Sequence, residues 1–157
     1  MANITIRKAG LADANHVTLM VGELLGEIMD SIGETVFHFN ADETCHRLEQ
    51  LLTTGSYTVF IAEQAKATIG FNALTECHAL YAEGAYGIIP EFFVRPAFRS
   101  RQAGLALVAQ AKAYGQEMGW KRLEVTTPPL PEFAKNLAFY QREGFSITGG
   151  RKLKLLL

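Results

Sequence analysis

Residues 88–118, IIPEFFVRPAFRSRQAGLALVAQAKAYGQEM, constrain the fold more than any other stretch of the chain. A buried strand over 90–94 must stop at Arg95-Pro96, because proline fixes φ and brings no N–H to a sheet ladder. An arginine-bearing loop over 98–104 follows and runs into a long, apolar-striped helix that ends near Gly119. A strand that passes through a short loop into a helix N-terminus gathers backbone N–H groups and the positive end of the helix dipole at one point. Such a point is suited to phosphate, and Arg99 and Arg101 stand where their charge would reinforce it. The competing reading is an ordinary exposed basic turn; the flanking strand and helix favour phosphate.

The pattern on either side fixes the class of fold. Ile4 and Ile6 alternate with polar residues as a short opening strand. Asp13 is the expected N-cap of a helix whose stripe is Val17, Met20, Val21, Leu24, Leu25 and Ile28, running out near residues 30–33. After an irregular link, ETVFHFN, a second helix capped by Asn40 or Asp42 carries Cys45, Leu48, Leu51 and Leu52, and Gly55 stops it. YTVFIAE (57–63) is β-branched and aromatic, hence a strand. A turn at 64–67 and a second extended run from Thr68 to about Tyr81 make a hairpin, with Gly70 marking a bulge or a close backbone approach. With the strand at 90–94 this forms an antiparallel meander. KRLEVTT (121–127) follows the long helix as a further strand, so a crossover and local parallel pairing are expected. A proline-stiffened loop precedes a helix over 132–142, capped by Gly144. Closing strands are expected over 145–148 and 152–156, around Gly149-Gly150. The sum is an α/β domain with a mixed sheet and helices on its faces.

Composition narrows the function. The chain's 157 residues suit a single domain spanning 1–157, with 48% apolar and 20% charged residues, as in ordinary globular proteins. A net charge near −1 argues against a nucleic-acid partner. Two cysteines cannot make a disulfide framework, which points to a reducing, cytoplasmic setting. No apolar run is long enough to span a membrane, and MANITIRKAG is no signal peptide. Cys45-His46 and Cys77-His78 invite a metal reading, but adjacent side chains diverge and no zinc spacing is present, so no metal is expected.

Three motifs in order resemble the GNAT N-acetyltransferase family. Arg99-Ser100-Arg101-Gln102-Ala103-Gly104 is similar to its pyrophosphate motif, Arg/Gln-x-x-Gly-x-Gly/Ala. Glu91-Phe92-Phe93-Val94-x-Pro96 resembles its fourth strand, and Phe139-Tyr140-Gln141-Arg142-Glu143-Gly144-Phe145 resembles its Phe-Tyr-x-x-x-Gly-Phe ending. The resemblance implies the GNAT acyl-CoA N-acyltransferase fold: a mixed, mostly antiparallel sheet of about seven strands with four helices, splayed between the fourth and fifth strands. It also implies acetyl-CoA as co-substrate and a small-molecule or peptide amine as acceptor. Two positions depart from the family. Gln102 stands where the family has the first glycine of its phosphate loop, and would donate its N–H from a negative φ. Phe133 stands where the family often has a cofactor-contacting asparagine, a role Asn136, about one turn later, would take over.

Each candidate role has a chemical reason. Main-chain N–H groups from Arg99 through Gly104 would hold the pyrophosphate, while the backbone of Phe92, Phe93 and Val94 would pair with the amide-bearing arm of coenzyme A. A backbone N–H there would also polarise the acetyl carbonyl. Two adjacent phenylalanines would equally fill core on both sheet faces, and both readings hold together. Glu91, an acid inside an apolar strand, is the candidate general base, against a sheet-edge carboxylate paired to a cation. Tyr140 is the candidate acid for the departing sulfur, against an aromatic merely packed on the sheet. For the acceptor, Asp30, Glu34, Asp42 and Glu43 with Phe37 and Phe39 near the first inter-helix link would suit a cation. Both cysteines lie outside the motifs, so transfer is expected to be direct rather than through an acyl-enzyme. The alternative function is an acyl-CoA-binding regulatory domain with little or no turnover; a nicotinamide-dinucleotide binder lacks its glycine fingerprint. Leu155, Leu156 and Leu157 at the end suggest packing on a second subunit, as in a homodimer.

Overall fold

A computed structural model describes residues 3–99 and 102–157. They fall into two compact units, Met1–Thr126 and Thr127–Leu157.

The first unit holds a six-stranded sheet. Strand β1 (Ile4–Lys8) leads through a short 3-10 turn to helices α1 (Ala14–Ile32) and α2 (Ala41–Thr54). Strands β2 (Thr58–Gln64), β3 (Ala67–Ala79), β4 (Gly84–Ile89) and β5 (Phe92–Val94) follow, then helix α3 (Ala103–Glu117) and strand β6 (Leu123–Val125). The order across the sheet is β1-β2-β3-β4-β6, with β5 also pairing to β3. All pairs are antiparallel except β4–β6, where Gly87 to Ile89 run parallel to Leu123 to Val125. That is the parallel pairing expected of a strand–helix–strand crossover.

The hairpin turn between β2 and β3 is made by Ala65 and Lys66, both at positive φ (51° and 65°), the geometry whose twist matches that of the flanking strands. Gly70 serves both anticipated purposes. The β2–β3 register shifts beside it, between Ala62 and Glu63, and a Cβ at Gly70 would lie 2.6 Å from the Phe93 carbonyl oxygen. β3 and β5 therefore approach as closely as they do because position 70 carries no side chain.

The two sheet faces are covered differently. Val17, Met20 and Leu48 of α1 and α2 form one buried cluster with Val59, Ile61, Phe71, Ala73 and Phe93. On the other face the Asn72 amide donates to the Leu107 carbonyl of α3 at 3.1 Å, and Phe60 meets Tyr114 edge-on with ring centroids 5.6 Å apart. Trp120 locates β6: a Cβ at Gly87 would fall 2.2 Å from its ring and one at Gly115 3.1 Å, while its indole N–H donates to Glu76 at 2.7 Å.

Several local expectations are corrected. Asp13 does not cap α1 with its side chain. It ends the 3-10 turn at helical φ, its carboxylate accepting from the Gly10 N–H at 2.8 Å and from Arg7 at 2.7 and 2.9 Å. The nearby Gly10 and Arg7 thus outcompete the helix for that carboxylate. Asn40 does cap α2, accepting from the Glu43 N–H at 3.0 Å, and Gly55 ends it at φ 76°. The strand expected over 90–94 is confined to β5 (Phe92–Val94), and a separate strand, β4 (Gly84–Ile89), precedes it across a break at Pro90 and Glu91.

In the second unit, helix α4 (Ala134–Arg142) starts two positions later than the expected residue 132, because the N–H groups of Phe133 and Ala134 close turns onto Pro129 and Pro131. The strands expected over 145–148 and 152–156 do not form, so the described residues contain six strands rather than about seven. Ile147, Leu153, Leu155 and Leu156 are 69, 92, 84 and 82% exposed. Alternation defines two faces of an extended segment, but a strand also needs a hydrogen-bonded neighbour, and among the described residues these segments pair with none.

Candidate active site

The break between β4 and β5 shapes the site. Ile88 faces Thr75 and Phe92 faces Asn72, so four steps on one side match three on the other. The extra residue is a bulge at Pro90, a residue that cannot donate to the ladder anyway. Beyond the bulge β5 continues along β3, whereas β6 pairs only with β4. The Glu91 carbonyl accepts from Ala73 at 2.9 Å and the Arg95 N–H donates to Ile69 at 2.8 Å. The alternation of an antiparallel ladder then directs the main-chain groups of Phe92 and Val94 to the opposite side of β5, where no described strand pairs.

The Glu91 side chain lies on the face covered by α1 and α2. Both its oxygens accept from the Tyr57 hydroxyl, at 3.3 and 3.1 Å. Burial pushes the Glu91 carboxyl above its ordinary pKa, and the Tyr57 hydrogen bond pulls in the opposite direction. Tyr57 is itself pushed well above the usual tyrosine range, first by burial and then by the Glu91 charge, so it is a donor at neutral pH. Sequence reading took Tyr57 only as the start of a strand; no motif or spacing marks it.

Past β5, a 3-10 turn over Pro96–Phe98 delivers the chain to the helix. The Arg99 guanidinium is committed within the protein: Nε donates to the Val94 carbonyl at 2.8 Å, both terminal nitrogens reach Glu27 at 2.7 Å, and the group lies 5.5 Å over the Phe93 ring. The Arg99 N–H closes onto Pro96 at 3.3 Å. Both facts depart from the expected phosphate role of this residue. Ser100 and Arg101 lie outside the described residues. Gln102 does not take the negative φ expected of it: at φ 71°, ψ 1° it adopts the left-handed conformation the family's glycine would take. Gln102 is the N-cap of the following helix, and its carbonyl accepts from Ala106 at 3.0 Å. The side chain of the N-cap Gln102 makes no capping hydrogen bond and no acid lies in the first turn of α3, so among the described residues the leading N–H groups of Ala103 and Gly104 and the dipole end remain directed at the loop.

Arg95 is held too, by Glu23 (3.0 Å) and by the Thr68 carbonyl (2.8 Å). Between α1 and this loop opens a cleft of about 530 Å³, lined by Gly22, Glu23, Gly26, Glu27, Asp30, Ser31, Phe93 and Pro96. Asp30 was among the acids expected near the acceptor; Glu23 and Glu27 were not, since only the tertiary fold turns those two helix positions onto the loop. Among the described residues no three His, Cys, Asp or Glu side chains form a metal-binding group, and no helix is long and apolar enough to cross a membrane.

Tyr140 and Asn136 belong to the second unit. Tyr140 is 6% exposed, its ring edge-on to Phe139 and Phe145 at 5.4 and 5.5 Å, and burial pushes its hydroxyl above the usual tyrosine range. Asn136 is exposed on α4, one helical turn from the buried Phe133.

Residues 55–147 match the family described as the acetyltransferase (GNAT) domain. The chain belongs to the GNAT acetyltransferases. The match runs from the end of α2 past α4 and so contains Tyr57, Glu91, the β5–α3 loop and Tyr140. An "IAA acetyltransferase" from Azospirillum brasilense is 27% identical over 151 residues, 95% of this chain and 88% of that protein. A predicted acetyltransferase from Clostridium acetobutylicum, solved with acetyl-CoA, shares the fold with TM-score 0.80 at 16% identity, over 98% of this chain and 96% of that one. An aminoglycoside N-acetyltransferase in complex with CoA shares it with TM-score 0.79 at 19% identity, over 99% and 96% of the two chains. GNAT membership makes this an acyltransferase; these low-identity structures speak to the fold alone.

Proposed function

We propose that this acyltransferase transfers the acetyl group of acetyl-CoA directly to a primary amine. The observation that carries the reading is β5: its outer main-chain groups face a side with no described strand, immediately before a loop that enters α3 at a helix N-terminus whose N-cap side chain makes no capping bond. A pantetheine arm would add along that side as a strand does, and the N–H groups at Gln102, Ala103 and Gly104 would take the pyrophosphate. The left-handed Gln102 supports this, because it takes the positive φ to which the family's glycine at this position is suited.

Glu91 then removes a proton from the amine, directly or through one water, and burial makes it a better base than an exposed glutamate. Tyr57 holds the carboxylate in place through both oxygens. Tyr140, protonated at neutral pH as tyrosines ordinarily are, would give its proton to the departing thiolate. Asn136 would contact the cofactor from α4. The acceptor approaches on the α1 side, where Asp30 lines the cleft and favours a cationic amine, the charges of Glu23 and Glu27 being met by Arg95 and Arg99.

Titration calorimetry with acetyl-CoA tests the cofactor: no binding overturns the reading. A thiol-release assay over a panel of primary amines, polyamines and amino sugars tests turnover. Binding without thiol release for any amine would support a regulatory acyl-CoA sensor instead.

A further inference from the structure

We propose that Glu27, with Glu23 one turn before it, is a positioning residue for the cofactor loop, and that Arg99 pins this loop rather than ligating phosphate. This rests on the acetyl-CoA reading and deepens it. Arg99 and Arg95 bracket the 3-10 turn Pro96–Phe98, and each is clamped by one α1 carboxylate and one main-chain carbonyl. The Glu27 clamp is bidentate, both contacts being 2.7 Å, the planar fork-to-fork pairing that fixes direction as well as distance. The guanidinium also lies over the Phe93 ring, 5.5 Å from its centroid, a further contact that favours this orientation.

Two consequences follow for the cofactor. The Val94 carbonyl, on the outer side of β5, already accepts from Arg99 Nε, so an incoming amide arm can pair with that oxygen only through its second lone pair. The positive charge of Arg99 is met by Glu27, so attraction for pyrophosphate rests mainly on the α3 N-terminus. Helix α1 also lines the cleft, so the same two carboxylates that hold the loop border the proposed acceptor side.

The two possible roles of Arg99 predict opposite signs for Glu27→Ala. If Arg99 were a phosphate ligand restrained by Glu27, freeing it would tighten acetyl-CoA binding. A pin released from its anchor weakens binding instead. We expect Glu27→Ala to raise the acetyl-CoA KM about five- to tenfold, the size of a lost charge-assisted contact. The kcat should stay within about twofold of wild type, and Glu27→Gln, which keeps an acceptor for Arg99, should recover most of the effect. Calorimetric titration of acetyl-CoA into all three proteins supplies the affinity. Unchanged or tighter binding by Glu27→Ala overturns the proposal, as does a loss confined to kcat, the mark of a reduced folded fraction. If Glu27→Ala does not fold, Glu27→Gln alone decides, by a smaller KM rise against none. Wild-type protein that fails to bind acetyl-CoA in the same series would instead overturn the functional reading.

Discussion

Replacing Gln102 by glycine should stabilise the protein, and the size of the gain follows from its backbone. At φ 71° and ψ 1° the residue sits in the left-handed region, with its side chain exposed. For an L residue that conformation costs about 1–2 kcal/mol, because Cβ crowds the following carbonyl. Glycine removes the crowding but gives the unfolded chain more freedom, which takes back about 0.5–1 kcal/mol. The expected net gain is about 0.5–1 kcal/mol, or roughly 1–4 °C in melting temperature for a domain of this size. Alanine keeps the Cβ, so Gln102→Ala should show no comparable rise. Equilibrium urea unfolding of the three proteins, with melting curves, makes the comparison. Equal stability of the glycine and alanine variants would refute the reasoning, since the argument turns on Cβ alone. The capping bond from Ala106 to the carbonyl of residue 102 survives both changes, so neither should disturb α3.

Tyr57→Phe removes the hydrogen bond that opposes the burial-raised pKa of Glu91, so the acid limb of the kcat/KM profile should move to higher pH while the rate at high pH is kept; an unmoved limb would detach Tyr57 from the base. Glu91→Gln should lower turnover about 10²- to 10⁴-fold. It should also alter the pH dependence of stability. With its folded pKa raised above the ordinary 4.5, native Glu91 holds its proton more tightly than the unfolded chain does, so wild-type stability falls as pH rises through that window. The glutamine variant should therefore gain on wild type from pH 4 toward neutrality (about the range in which carboxylates titrate), as read by urea unfolding across that range. Tyr140→Phe should lower turnover far more than acetyl-CoA affinity, and a wild-type rate would remove the tyrosine from the acid role.

Much of the frame was legible in the residues. The β2–β3 hairpin, both helix stops at Gly55 and Gly144, and the strand–loop–helix passage into α3 follow from periodicity and turn chemistry, which act over a few residues. Gly70 was legible as a special position, though not that Phe93 is the backbone it must admit. The closing segments were misread because alternation in RKLKLLL says nothing about whether a neighbouring strand exists. Asp13 was misread because its carboxylate had two nearer claimants, Gly10 and Arg7.

The site divides along the same line. Residue order alone establishes that an arginine-bearing loop joins a strand to a helix N-terminus, with an acid at the strand's start and an aromatic helix ending after it. These are local properties of order and spacing. Long-range packing sets Arg99 against Glu27 and Tyr57 against Glu91, and the left-handed turn at Gln102 is likewise visible only in the folded chain. Glu27 and Arg99 are 72 residues apart and Tyr57 and Glu91 are 34 apart, so no local pattern links them. They meet because the bulge at Pro90 carries β5 along β3 while α1 packs over the same face.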